Sequence, residues 1–127
     1  MGYNSESKNV LVLEDIASEQ ARVAEIVTSL GYAPLTASSR QDFLGLMKAN
    51  DYLAAILDNN APYDRDGELR RDVGLMLANH FLRHEPGLKV ALHTENEKTE
   101  RINGYIRRGL VYMKKPASAE DIRKFLA

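Results

Sequence analysis

The chain has 127 residues, enough for one compact domain and too few for two. Its hydrophobic share of 44% excludes wholesale disorder, and its net charge of -1, from 17 basic and 18 acidic residues, excludes recognition of nucleic acid or anionic lipid by bulk charge. Without cysteine there are no disulfides, thiolate metal sites or cysteine nucleophiles, which suits a cytoplasmic domain, and no stretch is long and apolar enough to span a bilayer.

Residues 1–8 are polar and are expected to be a disordered lead-in, with the folded domain over 9–127. Asn9 to Leu13 (NVLVL) reads as a strand buried on both faces. Glu14 and Asp15 end it, and a helix follows from about Ser18 to Leu30, with Val23, Val27 and Leu30 on one side. Ala33 to Ala37 is a second strand, placed at an edge because Pro34 cannot donate to a ladder. Ser38 with Gln41 suggests a capping box for a helix that turns Phe43, Leu46 and Met47 inward. Leu53 to Leu57 is a third strand, with Asp58 at its end. A polar stretch over 59–72 precedes a helix from Val73 to His84. Leu88 to Leu92 is the fourth strand, ending in His93 and Thr94. A polar helix with Ile102, Tyr105 and Ile106 stops near Gly109. Leu110 to Met113 is the fifth strand, closed by Lys114, Lys115 and Pro116, and Ser118 caps a last helix. Strict β-α alternation predicts an α/β fold of the flavodoxin-like (βα)5 kind. That fold is a doubly wound, five-stranded parallel sheet in the order 2-1-3-4-5.

In such sheets ligands bind at the carboxyl ends of the strands. Glu14, Asp15, Asp58, Thr94 and the Lys114-Lys115 pair all end strands and are expected to meet at one spot. Clustered carboxylates either take up protons or bind a cation, and an oxygen-only ligand set suits a hard ion such as Mg²⁺. A carboxylate is also a competent nucleophile toward phosphorus. Cation, ammonium and hydroxyl together can offset the charge of three phosphoryl oxygens.

The motifs LVLED (11–15), ILDNNAP (56–62), ALHT (91–94) and VYMKKP (111–116) fall in register on this architecture. In these motifs the chain resembles the response-regulator receiver domains of two-component signalling, over roughly residues 8–127. The resemblance implies a phosphoacceptor at Asp58 and Mg²⁺ held by Glu14, Asp15, Asp58 and the backbone carbonyl of Asn60. It implies a switch hydroxyl at Thr94, an inward-swinging aromatic at Tyr112 and a phosphate-binding lysine at Lys115, whose bond to Pro116 is usually cis in the family. It further implies a signalling domain rather than a turnover enzyme, receiving its phosphoryl group from a sensor histidine kinase or a histidine phosphotransfer protein. The downstream target is a protein that docks on the face from the fourth to the fifth helix, where a homodimer can also form. Neither nucleic acid nor membrane is an expected partner of this domain.

Two features depart from the family pattern. The residue after Thr94, usually very small, is Glu95. The strand starts near 9, 33, 53, 88 and 110 leave a third interval of 35 residues where the others are 20–24. The excess, about 63–72, is expected to gate the site or contact a partner. These departures support an alternative, a binding module of the same fold that does not use phosphorylation. A hydrolase with an aspartate nucleophile normally carries a second aspartate two residues on, where this chain has Asn60. His80 and His84 are read as a surface pair, His93 as packed against a helix, and DRDG at 64–67 as too incomplete for a calcium loop.

Overall fold

The computed structural model describes residues 2–127. Its elements are β1 (Gly2–Tyr3), β2 (Asn9–Leu13), α1 (Ala17–Ser29), β3 (Ala33–Ala37), α2 (Arg40–Ala49), β4 (Asp51–Tyr52), β5 (Ala54–Leu57), β6 (Ala61–Pro62), β7 (Leu69–Arg70), α3 (Val73–His84), β8 (Lys89–Thr94), α4 (Glu100–Arg107), β9 (Val111–Lys114) and α5 (Ala119–Leu126). The main sheet runs β3-β2-β5-β8-β9, parallel throughout. This is the expected 2-1-3-4-5 order, with the Pro34 strand at an edge.

Alternation along the strands explains why both faces are apolar. Val10, Val12, Ala54, Ile56 and Ala91 face one way, onto Val23 and Val27 of α1 and Ile122 and Phe125 of α5. Leu11, Leu13, Ala55, Leu57, Val90 and Leu92 face the other way, onto Phe43 of α2, Leu77 and Phe81 of α3 and Ile102 of α4. Phe81 stands edge-on to both Phe43 and Tyr52, with ring centroids 6.2 and 6.0 Å away.

Several local features differ from the sequence reading. The lead-in is ordered where a disordered segment was expected. Gly2–Tyr3 pairs in parallel with Asp51–Tyr52, and the Tyr3 amide donates to Glu85 Oε1 at 2.9 Å. Glu85 also accepts from the Tyr52 hydroxyl at 2.9 Å, so one carboxylate ties down both short strands. Met1 lies outside the described residues. The cap of α2 is Ser39, not Ser38: its Oγ accepts the Asp42 amide at 3.2 Å. Ser38 faces α1 instead, where Gln20 Nε2 donates to its Oγ at 3.1 Å. At α5 the expected cap holds as a full capping box between Ser118 and Asp121.

The polar stretch 59–72 is a small antiparallel hairpin, β6 against β7. Its tip turns through an amide-to-carbonyl bond from Gly67 to Asp64, and α2 holds its side. The Gln41 amide donates to the Tyr63 carbonyl at 2.8 Å, and Arg65 pairs with Asp42 at 3.0 Å. Arg40 and Arg70 each lie over the Tyr63 ring.

The start of α3 is capped from outside the helix. Asp72 takes a left-handed conformation (φ 61°) and makes no side-chain cap. Asn59 satisfies the free amides instead: its carbonyl accepts from Gly74 at 3.0 Å and its Oδ1 from Leu75 at 3.2 Å. This brings helix and strand end so close that a Cβ on Gly74 would stand 2.3 Å from the Asp58 carbonyl oxygen. Gly74→Ala is therefore expected to destabilise the domain by about 1–3 kcal/mol, measured as a lower urea midpoint with an unchanged slope.

Candidate functional site

The sheet register builds the site. Leu13 pairs with Leu57, and Leu57 with Leu92, so the strands that end in Glu14, Asp58 and His93-Thr94 finish level with one another. Thr94 pairs with Lys114, which leaves Lys115 one residue beyond the ladder. The Asp58 amide donates to the Leu13 carbonyl at 2.9 Å and the Lys115 amide to the Thr94 carbonyl at 2.9 Å, fixing both strand exits.

Glu14 is fully buried, with 1% of its surface exposed, and Asp58 is 7% exposed. Lys115 Nζ lies 2.6 Å from Glu14 Oε1 and 3.1 Å from Asp58 Oδ2. The Asp58 contact is a hydrogen bond; the Glu14 contact is an ion pair outside hydrogen-bonding angles, so Glu14 Oε1 is a buried acceptor without a hydrogen-bond partner. Glu14 Oε2 accepts the Ile16 amide at 3.2 Å. Oxygens of Glu14, Asp15 and Asp58 lie within 4.8 Å of one another. Lys114 turns away, its ammonium bonded to the Glu95 carbonyl at 2.6 Å and the Glu97 carboxylate at 2.7 Å.

Two buried acids share one ammonium here with a third acid beside them, and the excess negative charge shows in the titration of Asp58. Burial raises its pKa, the neighbouring Glu14 raises it further, and Lys115 only partly offsets them, so it is pushed up to about 7. For Lys115, burial acts to lower the pKa, but Glu14 and Asp58 outweigh it and hold the ammonium above its usual range. A site in this condition gains by taking up a proton or a cation. The oxygen-only donor set fits a hard divalent ion.

Asp58 opens into a cleft of about 190 Å³, also lined by Asp15, Ile16, Asn60, Leu69, Thr94, Glu95, Asn96 and Lys115. Two apolar residues stand open at its lips, Ile16 at 51% exposure and Leu69, from the inserted hairpin, at 58%. The hairpin therefore reaches the mouth of the site.

This arrangement was compared with known proteins. No protein-family model and no curated protein matches the sequence. Solved structures do match. A response regulator receiver domain protein from Clostridium thermocellum superposes with a TM-score of 0.74 at 20% identity, covering 93% of this chain and 90% of its own. A CheY-like receiver domain protein from Methanospirillum hungatei JF-1 gives 0.75 at 18% identity, covering 94% and 90%. A response regulator from Burkholderia pseudomallei, crystallised with a phosphorylated aspartic acid, a calcium ion and citrate, gives 0.76 at 23% identity, covering 95% and 67%.

The fold is that of a response-regulator receiver domain.

On this receiver fold, Tyr112 lies outside the cleft. Its hydroxyl donates to the Asn96 carbonyl at 2.5 Å, and the Lys98 ammonium sits 5.2 Å above its ring. The Thr94 hydroxyl, at the cleft wall, donates to Asn96 Oδ1 at 2.8 Å. The Lys115–Pro116 peptide is cis. His93 points to the opposite face, where its Nε2 accepts the Ala117 amide at 3.1 Å. Burial, aided by Lys115, draws its pKa down to about 4, so it stays neutral. The His80 and His84 rings are tilted by 44° with centroids 4.9 Å apart, and among the described residues the only group of three or more acids or histidines able to hold a metal is Glu14, Asp15 and Asp58.

Sequence reading passed over three residues of this receiver fold. Asn59 joins the site to α3, donating from Nδ2 to Asp72 Oδ1 at 3.0 Å, while Asp72 Oδ2 pairs with Arg101 of α4 at 2.8 Å. Asn96 engages Thr94 and Tyr112, and Gly74 admits the close helix packing. For Asn59 and Gly74 the local sequence carries no signal, because their partners are distant in the chain. For Asn96 a weak signal exists, since Thr-x-Asn favours a local side-chain turn.

An acid whose folded pKa exceeds its unfolded value stabilises the fold fully only below the unfolded pKa. That stability is lost as pH rises through the folded pKa. For Asp58 the window runs from about 4 to about 7. Asp58→Asn is thus expected to change stability little near the lower limit. In metal-free buffer above the upper one it should raise stability by on the order of 2 kcal/mol, after allowance for solvent screening. Thermal melts of both proteins across this range check the trend; equal gains at both ends would refute it.

Proposed function

We propose that this chain is the receiver of a two-component response regulator, phosphorylated on Asp58 in a Mg²⁺-dependent reaction. The observation that carries the reading is the meeting of Asp58, its 3.1 Å lysine partner and two further acids, Asp15 at the cleft and Glu14 buried behind it. A carboxylate oxygen of Asp58 attacks phosphorus, the bond to the donor's leaving nitrogen breaks, and the donor departs with the electron pair. Lys115 supplies fixed positive charge to one phosphoryl oxygen. Thr94 donates its hydroxyl proton to another once it leaves Asn96, and Tyr112 then follows inward. Glu14, Asp15, Asp58 and the Asn60 carbonyl would hold Mg²⁺, which when bound offsets charge on the phosphoryl oxygens. Mg²⁺ is preferred because it readily admits phosphate oxygens to its shell.

The domain is then a cytoplasmic signalling component rather than an enzyme with turnover. Its donor is a histidine kinase or histidine phosphotransfer protein, and its target is a protein met through the α4–α5 face. No helix of the described residues is long and apolar enough to cross a membrane. A second reading, a binding module that does not use phosphorylation, draws on Glu95 and Leu69 at the cleft mouth. There a charged and an apolar side chain crowd the approach to Asp58.

Incubation with Mg²⁺ and a small phosphodonor, followed by intact mass, separates the two. The switch predicts one added phosphoryl group, absent in Asp58→Asn and absent when Mg²⁺ is chelated. Lys115→Ala should slow the reaction by about 10²-fold, the usual cost of one charge-stabilising donor. No adduct on the unaltered chain after prolonged exposure favours the binding module. Leu69→Ala reports on gating by the hairpin: a faster rate supports a lid, and an unchanged rate refutes it.

A further inference from the structure

Lys115 rides on a short connection, residues 115–117, between β9 and α5. Pro116 has no amide, so this connection has two backbone donors. The Lys115 amide goes to the Thr94 carbonyl at 2.9 Å, and the Ala117 amide to Nε2 of His93 at 3.1 Å. Two successive residues at the end of β8 thus hold both donors, one through its backbone and one through its side chain. Beyond the connection, Ser118 is fixed in the capping box of α5. His93 and Ala117 are both buried, where an amide that loses its acceptor has no solvent to turn to.

His93 lies behind the site rather than in it. Successive strand residues face opposite ways, so Thr94 lines the cleft while His93 turns toward α1. There its Nε2 stands 3.9 Å from Glu19 Oε1, which Arg22 already holds at 2.7 Å. An acceptor at this place has to be neutral. A further carboxylate would draw on the ammonium that Glu14 and Asp58 share, and a cation would repel it. Imidazole meets both conditions with its proton on Nδ1, because Nε2 is then an acceptor. Burial and the nearby Lys115 charge keep it in that neutral form.

We infer that His93 is a positioning residue: by accepting the Ala117 amide it fixes the connection that carries Lys115, and so aims the ammonium at Asp58. This rests on the receiver reading above, which gives Lys115 its role toward the phosphoryl group. His93 touches no reacting atom; it acts through Lys115. Without its acceptor the Ala117 amide must move to another partner, and the connection moves with it. The contact of Lys115 with Asp58 at 3.1 Å is then the one at risk, since it is longer than the 2.6 Å contact with Glu14.

The test is the rate at which the intact domain takes up a phosphoryl group from a small phosphodonor with Mg²⁺, read by intact mass. His93→Leu, which keeps the bulk and removes the acceptor, is expected to slow uptake about 10-fold, the kinetic equivalent of one lost hydrogen bond. His93→Gln, whose amide oxygen can stand where Nε2 does, should restore most of the rate. In a Lys115→Ala background His93→Leu should slow the reaction no further, because the side chain that His93 aims is gone. Urea unfolding shows whether each variant folds. Should His93→Leu not fold, His93→Asn, polar but too short to reach Ala117, takes its place with the same expectations. A purely structural role would slow uptake equally with or without the Lys115 ammonium. An unchanged rate in the folded variant, or equal slowing in both backgrounds, overturns the proposal while leaving the receiver reading intact. An unaltered chain that takes up no phosphoryl group overturns both.

Discussion

The structure turns on an imbalance of charge at the end of the sheet: three clustered carboxylates, two of them buried against the one lysine. A single Glu14–Lys115 pair would be neutral and inert. Adding Asp58 at 3.1 Å from the same ammonium leaves a buried acid that its partner cannot fully satisfy. Burial of unpaired charge is costly, and the chain bears that cost at the one place where a proton or a cation would relieve it. The remainder of the domain serves to keep these groups from moving apart.

It does so through register. Because the three inner strands of the central sheet are buried on both faces, a slip of one residue would exchange their two cores and is strongly disfavoured. Leu13, Leu57 and Leu92 are thereby locked side by side, and the acids that follow the first two are neighbours by construction. Asn59 extends the same rigidity sideways, since its carbonyl and side chain cap α3 while its neighbour Asp58 faces the cleft. Through Asp72 the connection reaches Arg101 on α4. The residue beside Asp58 and the two helices next to the site are thus joined by polar contacts.

What the sequence made legible follows from the same physics. Strands buried on both faces appear as uninterrupted apolar runs, so NVLVL, LAAIL and LKVAL stand out, and the chemistry is found by looking one residue past each run. Pro34 marked its strand as an edge because a missing amide has only one tolerable place. Where two neighbouring residues competed for one role, sequence could not decide. Ser38 and Ser39 both suit a cap, and only the angle at which the chain leaves β3 selects Ser39. The hairpin at 61–70 was read only as an overlong polar loop. Its strands have two residues each, and it is held by Arg40 and Asp42 of α2, which lie more than twenty residues away from their partners. Short pairings held by distant side chains leave no periodicity to detect. The ordered N-terminus escaped notice for the same reason, since its anchor is Glu85.

The hairpin and Glu95 look at first like obstacles to a phosphodonor, yet the structure distributes them so that the cleft stays open. Glu95 is fastened by its backbone carbonyl to Lys114, and it is an exposed residue of the cleft wall. The hairpin is braced against α2 at its near strand and tip, and only Leu69 of the returning strand reaches the rim, facing Ile16 across it. Under the proposed function, a donor would pass between two apolar side chains and beside one acid, a combination that penalises a small, highly hydrated anion more than a protein surface able to cover Ile16 and Leu69 while presenting its own phosphoryl group. The departures from the family pattern thus restrict how Asp58 is approached, and they leave the geometry of the acids and Lys115 behind the rim untouched.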